Sequence, residues 1–184
     1  MRVISGKYKG TTLKAVPGMK TRPTSDKVKE ALFHRIGPYF SGGSGLDLYA
    51  GTGSLGIEAM SRGFSSFVFV DKAPQAVKVI KTNVKAAGLN GSCEVYRNDA
   101  KRALAVLTKR KKSFDLIFMD PPYAHQDLAG MLQTISETGL ITPGGQIVCE
   151  HRSSTALPDT VASLNKQNED IYGDTGVSIY GLEK

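Results

Sequence analysis

Asp120-Pro121-Pro122-Tyr123 sets a carboxylate, two rigid imides and an aromatic ring in consecutive positions. Neither proline can donate a backbone hydrogen bond, and both have a fixed φ. The segment therefore leaves any preceding strand as a stiff loop whose carbonyls stay available. Such a loop suits a planar group bearing an –NH₂. Asp120 and the Pro121 carbonyl can accept its two hydrogens, and the Tyr123 ring can stack on its face. The same residues also fit a plainer role, a strand closed by a Pro-Pro turn with Asp120 as its cap.

A second constellation lies upstream. Gly51-Thr52-Gly53-Ser54-Leu55-Gly56 matches G-x-G-x-x-G between a predicted strand and a predicted helix, and Asp71 stands twenty residues after Gly51. An acid at that place can accept ribose hydroxyls. The motif alone does not separate NAD from S-adenosylmethionine, because both carry an adenosine ribose. Asp47, four residues before Gly51, bears on the choice. An anion there opposes a pyrophosphate, which wants a helix N-terminus without a neighbouring negative charge. It can help position an amino-acid ammonium, directly or through water. Asp47 can equally brace the turn, and the two roles can coexist. Asn98-Asp99-Ala100 supplies a third acid, able to accept from an adenine amino group or to cap the following helix. Asp47, Asp71, Asp99 and Asp120 each fall within or at the C-terminal end of a successive predicted strand. Ligands of open α/β sheets bind at that edge.

The elements that must position these residues read from the hydrophobic period. Arg2–Ser5 and Thr11–Val16 predict two short strands joined by a Lys7-Tyr8-Lys9-Gly10 turn, closed by Pro17-Gly18. Val28, Ala31, Leu32 and Ile36 recur at helical spacing, with Thr24 or Ser25 as cap and Gly37-Pro38 as stop. Strands then alternate with helices. Leu46–Ala50 is a strand before the glycine turn and a helix through Met60; Phe67–Asp71 is a strand before a helix from Pro74 that Gly88 ends. Cys93–Tyr96, Phe114–Met119 and Gly145–Glu150 are further strands, with helices over Asp99–Leu107 and Leu128–Ile135. The tail predicts a weak helix near Val161–Leu164, then two strand-like runs turning at Gly173-Asp174. Alternation of this kind implies α/β architecture, a mostly parallel sheet covered on both faces, closed by a hairpin that adds an antiparallel strand.

The chain has 184 residues and a net charge of +7. Residues 1–35 carry nine Lys or Arg against two acids, so nine minus two equals the whole surplus. A basic N-terminal stretch beside a neutral body predicts a polyanionic partner. Arg2, Lys7, Lys9 and Arg22, with Thr24, are the candidate phosphate contacts; the alternative is an exposed hairpin kept soluble by its lysines. The run Lys109–Lys112 reads as a solvated turn. No apolar stretch reaches transmembrane length and the N-terminus has no signal-peptide core, so a cytoplasmic soluble protein is expected. Cys93 and Cys149 are expected as buried thiols, and His34, His125 and His151 form no ligand spacing with them, so no metal is expected.

Leu46-Asp47-Leu48-Tyr49-Ala50-Gly51-Thr52-Gly53, then Asp71, Asn98-Asp99-Ala100 and Asp120-Pro121-Pro122-Tyr123, resemble the class I methyltransferases that modify amino nitrogens. More closely, the chain resembles the RsmD family of 16S ribosomal RNA guanine-N2 methyltransferases. Arg22-Pro23-Thr24 before Val28–Phe33, Gly51–Gly63, and Tyr172-Gly173-Asp174-Thr175 with Val177–Tyr180 carry that likeness over nearly the whole chain. Family members more often have Phe at position 49 and Glu at position 71, changes that keep the chemistry.

The resemblance implies a Rossmann-like fold, a mostly parallel seven-stranded sheet with one antiparallel strand. It implies residues 1–20 as a basic β-hairpin extension and 21–184 as the methyltransferase domain. It further implies S-adenosylmethionine as cofactor, held by Asp47, Ala50, Gly51, Thr52, Gly53, Asp71, Lys72, Asp99 and Ala100. Asp120, Pro121, Pro122 and Tyr123 would be the catalytic loop. The substrate would be 16S rRNA, free or in a small-subunit particle. The loop is not specific for guanine, so adenine or glutamine remains an alternative target. An NAD-dependent oxidoreductase and a non-catalytic RNA-binding protein are the other classes the residues leave open.

Overall fold

The computed structural model describes residues 1–18, 25–122 and 127–182. Arg22, Thr24 and Tyr123 lie outside the described residues. The chain divides into two compact units, Met1–Asp99 and Ala100–Lys184.

The first unit contains helix α1 (Asp26–Ile36), strand β1 (Ser44–Asp47), helix α2 (Ser54–Ser61), strand β2 (Ser66–Asp71), helix α3 (Pro74–Ala86) and strand β3 (Cys93–Arg97). Its strands are parallel in the order β3-β2-β1, with Leu46 opposite Val68 and Phe69 opposite Val95. Leu46, Phe67, Phe69, Ile57 and Ile80 are fully buried between sheet and helices. The helix α2 comes unusually close to β2, because a Cβ on Gly56 would stand 2.4 Å from the Phe69 ring. Helix α1 begins where the Ser25 side chain accepts from the Val28 N–H, and α3 has Pro74 in its first turn. Those are the cap and the proline that the sequence predicts.

Residues 1–16 pair as the expected antiparallel hairpin, but only briefly: one bridge, Arg2 to Thr12, with Val3 N–H donating to the Thr11 carbonyl (3.0 Å), Leu13 N–H to the Met1 carbonyl (2.8 Å) and Gly10 N–H to the Val3 carbonyl (2.9 Å). Side chains from the helices take backbone groups beyond that short pairing. Glu58 accepts from the N–H of Ile4 (2.9 Å) and Ser5 (3.1 Å). Asn83 accepts from the Lys14 N–H at 2.7 Å and donates to the Lys14 carbonyl at 3.0 Å. The Lys7–Gly10 turn forms as expected, and Val3, Leu13 and Val16 are buried.

The second unit contains helix α4 (Ala100–Lys109), strand β4 (Phe114–Met119), helix α5 (Leu128–Thr138) and strand β5 (Ile141–Arg152). Strands β6 (Thr160–Val161), β7 (Leu164–Tyr172) and β8 (Thr175–Leu182) follow. Their order is β4-β5-β8-β7-β6; β4 and β5 are parallel and the remaining pairs antiparallel. The Gly173-Asp174 hairpin turn is where the sequence puts it. The weak helix expected near Val161–Leu164 is instead the turn between β6 and β7. Ala162 adopts φ 51°, a left-handed conformation that breaks a helix after too few residues to bury a face. The described residues therefore hold eight strands, β6 being the one beyond the expected seven. Strand β5 also starts earlier than expected, at Ile141, through a register shift between Phe114 and Leu116 of its β4 partner. None of the described helices is long and apolar enough to cross a membrane.

Glu58 is fully buried and meets both Arg62 Nε at 3.0 Å and Lys29 Nζ at 3.9 Å, themselves buried. Replacing Glu58 by Ala strands two cations and two backbone N–H groups. Denaturant unfolding of Glu58→Ala should show a loss of about 3–5 kcal/mol, the range for removing one partner of a buried ion pair; a loss below about 1 kcal/mol would mean the network is not a keystone.

Candidate active site and its relatives

The carboxylates of the first unit fall at the C-terminal ends of its parallel strands. Asp47 ends β1 and is buried at 3% exposure; Asp71 ends β2; Asp99 follows β3 and directly precedes α4. Strand β1 stops at Asp47, earlier than the sequence suggests, and Leu48–Gly53 turn toward α2. The turn is pinned at several points. Ala50 N–H donates to the Val70 carbonyl (3.0 Å), Gly53 N–H to the Ala50 carbonyl (2.7 Å), and Asn83 Nδ2 to the Thr52 carbonyl (2.9 Å). Gly51 and Gly53 have φ of 58° and 79°, which favours glycine at both places.

Asp71 braces the glycine turn. Its Oδ2 accepts from the Gly51 N–H and its Oδ1 from the Ala73 N–H, each at 2.9 Å. Two donors on one carboxylate fix its plane and hold the turn to the end of β2. Each oxygen keeps a second lone pair for a ribose hydroxyl. Open space lies over the turn, since nothing stands within 4 Å of a Gly51 Cβ position. A buried carboxylate, a pinned acceptor pair and a bare turn fit an adenosine ligand with an ammonium better than a pyrophosphate. Ala50 and Ala100 are buried, Lys72 is exposed beside Asp71, and the Asn98 side chain accepts from the Asp99 N–H at 2.9 Å.

The basic loop is seated on the far end of α2. Lys7 N–H donates to the Ser61 carbonyl (2.8 Å), Tyr8 N–H to Ser61 Oγ (2.9 Å), and Ser61 Oγ to the Ser5 carbonyl (2.7 Å). A Cβ on Gly6 would overlap the Ser61 carbonyl at 2.0 Å, so only glycine allows this seat. Arg2, Lys7 and Lys9 are exposed, with Lys7 Nζ 5.6 Å from the Tyr8 ring centroid. The glycine turn begins α2 and the lysine loop caps its end, about 12 Å apart for eight residues at helical rise.

In the second unit Asp120 follows β4 directly, Pro121 is buried and Pro122 exposed. The side chains of Asp120 and Glu150 are hydrogen-bonded to each other. Glu150 is a residue that sequence reading treats only as the end of a strand. The signal was available in the parallel pairing of β4 with β5, but only once their register was known. The cysteines are unreactive by placement. Burial pushes the half-buried Cys93 thiol up to about 12, and raises that of the fully buried Cys149 as well. Cys93 is thus less enclosed than expected, yet remains a neutral thiol.

Asp71→Ala removes the turn's brace. Calorimetry with S-adenosylhomocysteine should find affinity weakened by roughly 1–3 kcal/mol; unchanged affinity would take Asp71 out of the ligand site.

A family model described as conserved hypothetical protein 95 matches residues 1–181. The chain is 52% identical to the Bacillus subtilis protein YlbH over 180 residues, 98% of each chain. It is 30% identical to ribosomal RNA small subunit methyltransferase D of Haemophilus influenzae over 185 residues, 99% of this chain and 92% of that one. The solved structure of the Escherichia coli protein yhhF superposes with a TM-score of 0.83 at 26% identity, over 100% of this chain and 98% of the other. Matched by that family model over residues 1–181, the chain belongs to the conserved hypothetical protein 95 family, the RsmD family that its motifs resemble.

Proposed function

We propose that this protein is an S-adenosylmethionine-dependent rRNA methyltransferase that methylates the exocyclic N2 of a guanine in 16S rRNA. The observation that carries the reading is the Asp120-Pro121-Pro122 loop leaving β4 in a chain that matches its family over residues 1–181. Relatives named as small-subunit rRNA methyltransferases support rRNA as the substrate. Asp47, the Gly51–Gly53 turn, Asp71 and Asp99 hold the methyl donor. That donor supplies a methyl already activated by a sulfonium.

The protein's own work is then on the nucleophile. The N2 lone pair of guanine is delocalised into the ring, and the nitrogen must be turned toward the methyl. Asp120 accepts one amino hydrogen and the Pro121 carbonyl accepts the other. The buried Pro121 and its neighbour hold these acceptors still, so orientation and electrostatics supply the rate. Tyr123 stacks on a base taken from its own stack. N2 is enclosed in helical RNA, so the target is an accessible loop guanine or an extruded one. Residues 1–20 act as the RNA-holding module, with Arg2, Lys7, Lys9, Arg22 and Thr24 on the phosphates. The substrate is the assembled small-subunit particle or its free RNA, in the cytoplasm.

Mass spectrometry of nucleosides from 16S rRNA, incubated with labelled S-adenosylmethionine as free RNA and as particle, should show label in N2-methylguanosine. Label in methyladenosine or on protein glutamine would replace the guanine assignment. Asp120→Ala should cut single-turnover methylation by about 10²–10³ with cofactor affinity nearly unchanged; methylation at the parent rate would remove Asp120 from the chemistry. Lys7→Ala with Lys9→Ala should weaken RNA binding and flatten the slope of log affinity against log salt by roughly 0.7–0.9 for each phosphate no longer neutralised. An unchanged slope in filter binding would assign those lysines to solubility and turn attention to Lys109–Lys112.

A further inference from the structure

The parallel register of β4 on β5 sets Phe118 opposite Val148 and Met119 opposite Cys149. One step further along both strands brings Asp120 beside Glu150, and their carboxyls are hydrogen-bonded. Two ionised carboxylates offer only acceptors, so this bond requires a proton between them. Burial pushes the Glu150 carboxyl up, while the bond to Asp120 pulls it the other way. The proton belongs to the pair, not to either residue.

The β8 partner of Glu150 is Val177. Its neighbours on β5 are the neutral Cys149 thiol and His151, whose ring is engaged by Ser178 Oγ and the Arg152 carbonyl, both at 2.8 Å. Two residues along the same face stands Arg152, which has interactions of its own. Helix α5 buries Leu128, Met131, Leu132 and Ile135, and at its start Asp127 pairs with Lys101 at 2.9 Å. On β4 the other acid, Asp115, accepts from Thr142 Oγ1.

We propose that Glu150 is a positioning residue for Asp120. It clamps one Asp120 oxygen through a shared proton and leaves the other oxygen to accept the amino hydrogen of the substrate. This rests on the role given to Asp120 above and deepens it. A carboxylate on a loop rotates about its last bond. A partner on one oxygen fixes the lone-pair direction of the other, which is the quantity that in-line transfer needs. The clamp also limits the working pH. Above the pH at which the shared proton leaves, two anions face each other and the clamp is lost. Below the pH at which a second proton binds, the accepting oxygen weakens.

The test compares three variants by single-turnover methylation of 16S rRNA across pH. Glu150→Gln keeps an N–H donor for Asp120 but has no proton to lose. It should run near the parent rate and lose the parent's alkaline decline. Glu150→Leu should fall by roughly 10²-fold, with affinity for S-adenosylhomocysteine unchanged as a check on folding. Asp120→Ala separates this inference from the function it rests on. If Asp120→Ala is inactive while Glu150→Leu runs at the parent rate, the clamp is wrong and the function stands. If Glu150→Gln is as slow as Glu150→Leu, or keeps the alkaline decline, the clamp is likewise overturned. If Asp120→Ala runs at the parent rate, the function assigned to that loop fails, and the clamp with it.

Discussion

A buried carboxylate organises the first unit. Glu58 lies on α2, fully enclosed, and accepts from Ile4 N–H, Ser5 N–H and Arg62 Nε, with Lys29 Nζ close by. An isolated charge in that place would be prohibitive, so the fold around it must supply every partner. Burial lowers the Lys29 pKa, while Glu58 and Asp26 act to raise it. Lys29 also donates to the Arg2 carbonyl at 3.1 Å, which fastens α1 to the first residues of the chain. Arg62 turns its guanidinium over the Phe33 ring at 4.9 Å and donates to the Pro38 carbonyl. One acid thus joins residues from the N-terminal segment, α1 and α2. Its contribution is to specify that arrangement, since buried ion pairs add little net stability over a well-packed apolar substitute.

That arrangement matters because α2 serves two tasks at its two ends. Its start is the glycine turn, held by Asp71 and Asn83; its end seats the lysine loop through Ser61. Asn83 adds a second tie, bridging Thr52 of the turn and Lys14 of the basic segment with one amide. A basic loop held this way has little ordering entropy left to lose on binding a partner. The basic segment is therefore built into the unit that carries the acidic strand ends.

The polar groups of the second unit follow a different logic. Its long antiparallel strands bury Ile147, Val148, Cys149, Val177, Ile179 and Tyr180, and His151 with Ser178 is satisfied inside them. Against that apolar background Asp120 and Glu150 form a carboxyl pair at the end of β4 and within β5. A low-dielectric setting strengthens the bond between them and makes its proton count consequential.

The sequence by itself determined the periodic parts. Alternating apolar runs and their glycine and proline stops placed β1 to β5 and the five helices within a few residues, because burial on one face leaves a period that can be counted. It also singled out Asp47, the glycine turn, Asp71, Asp99 and Asp120-Pro121-Pro122 as the candidate site, because local spacing and residue type suffice to mark candidates. Tertiary structure decided what depends on partners far along the chain. Residues 1–16 read as a hairpin, and its arms do pair, yet what seats it is Glu58 and Asn83, which at separations of 53 to 69 residues bond the backbone of Ile4, Ser5 and Lys14. Val161–Leu164 reads as a helix, yet pairing of Thr160 with Asn165 makes it a turn. Asp71 braces the glycine turn, a contact between residues 20 apart in sequence that forms because β2 ends at Asp71. Glu150 joins Asp120 only through the β4–β5 register, a long-range pairing that no local pattern encodes.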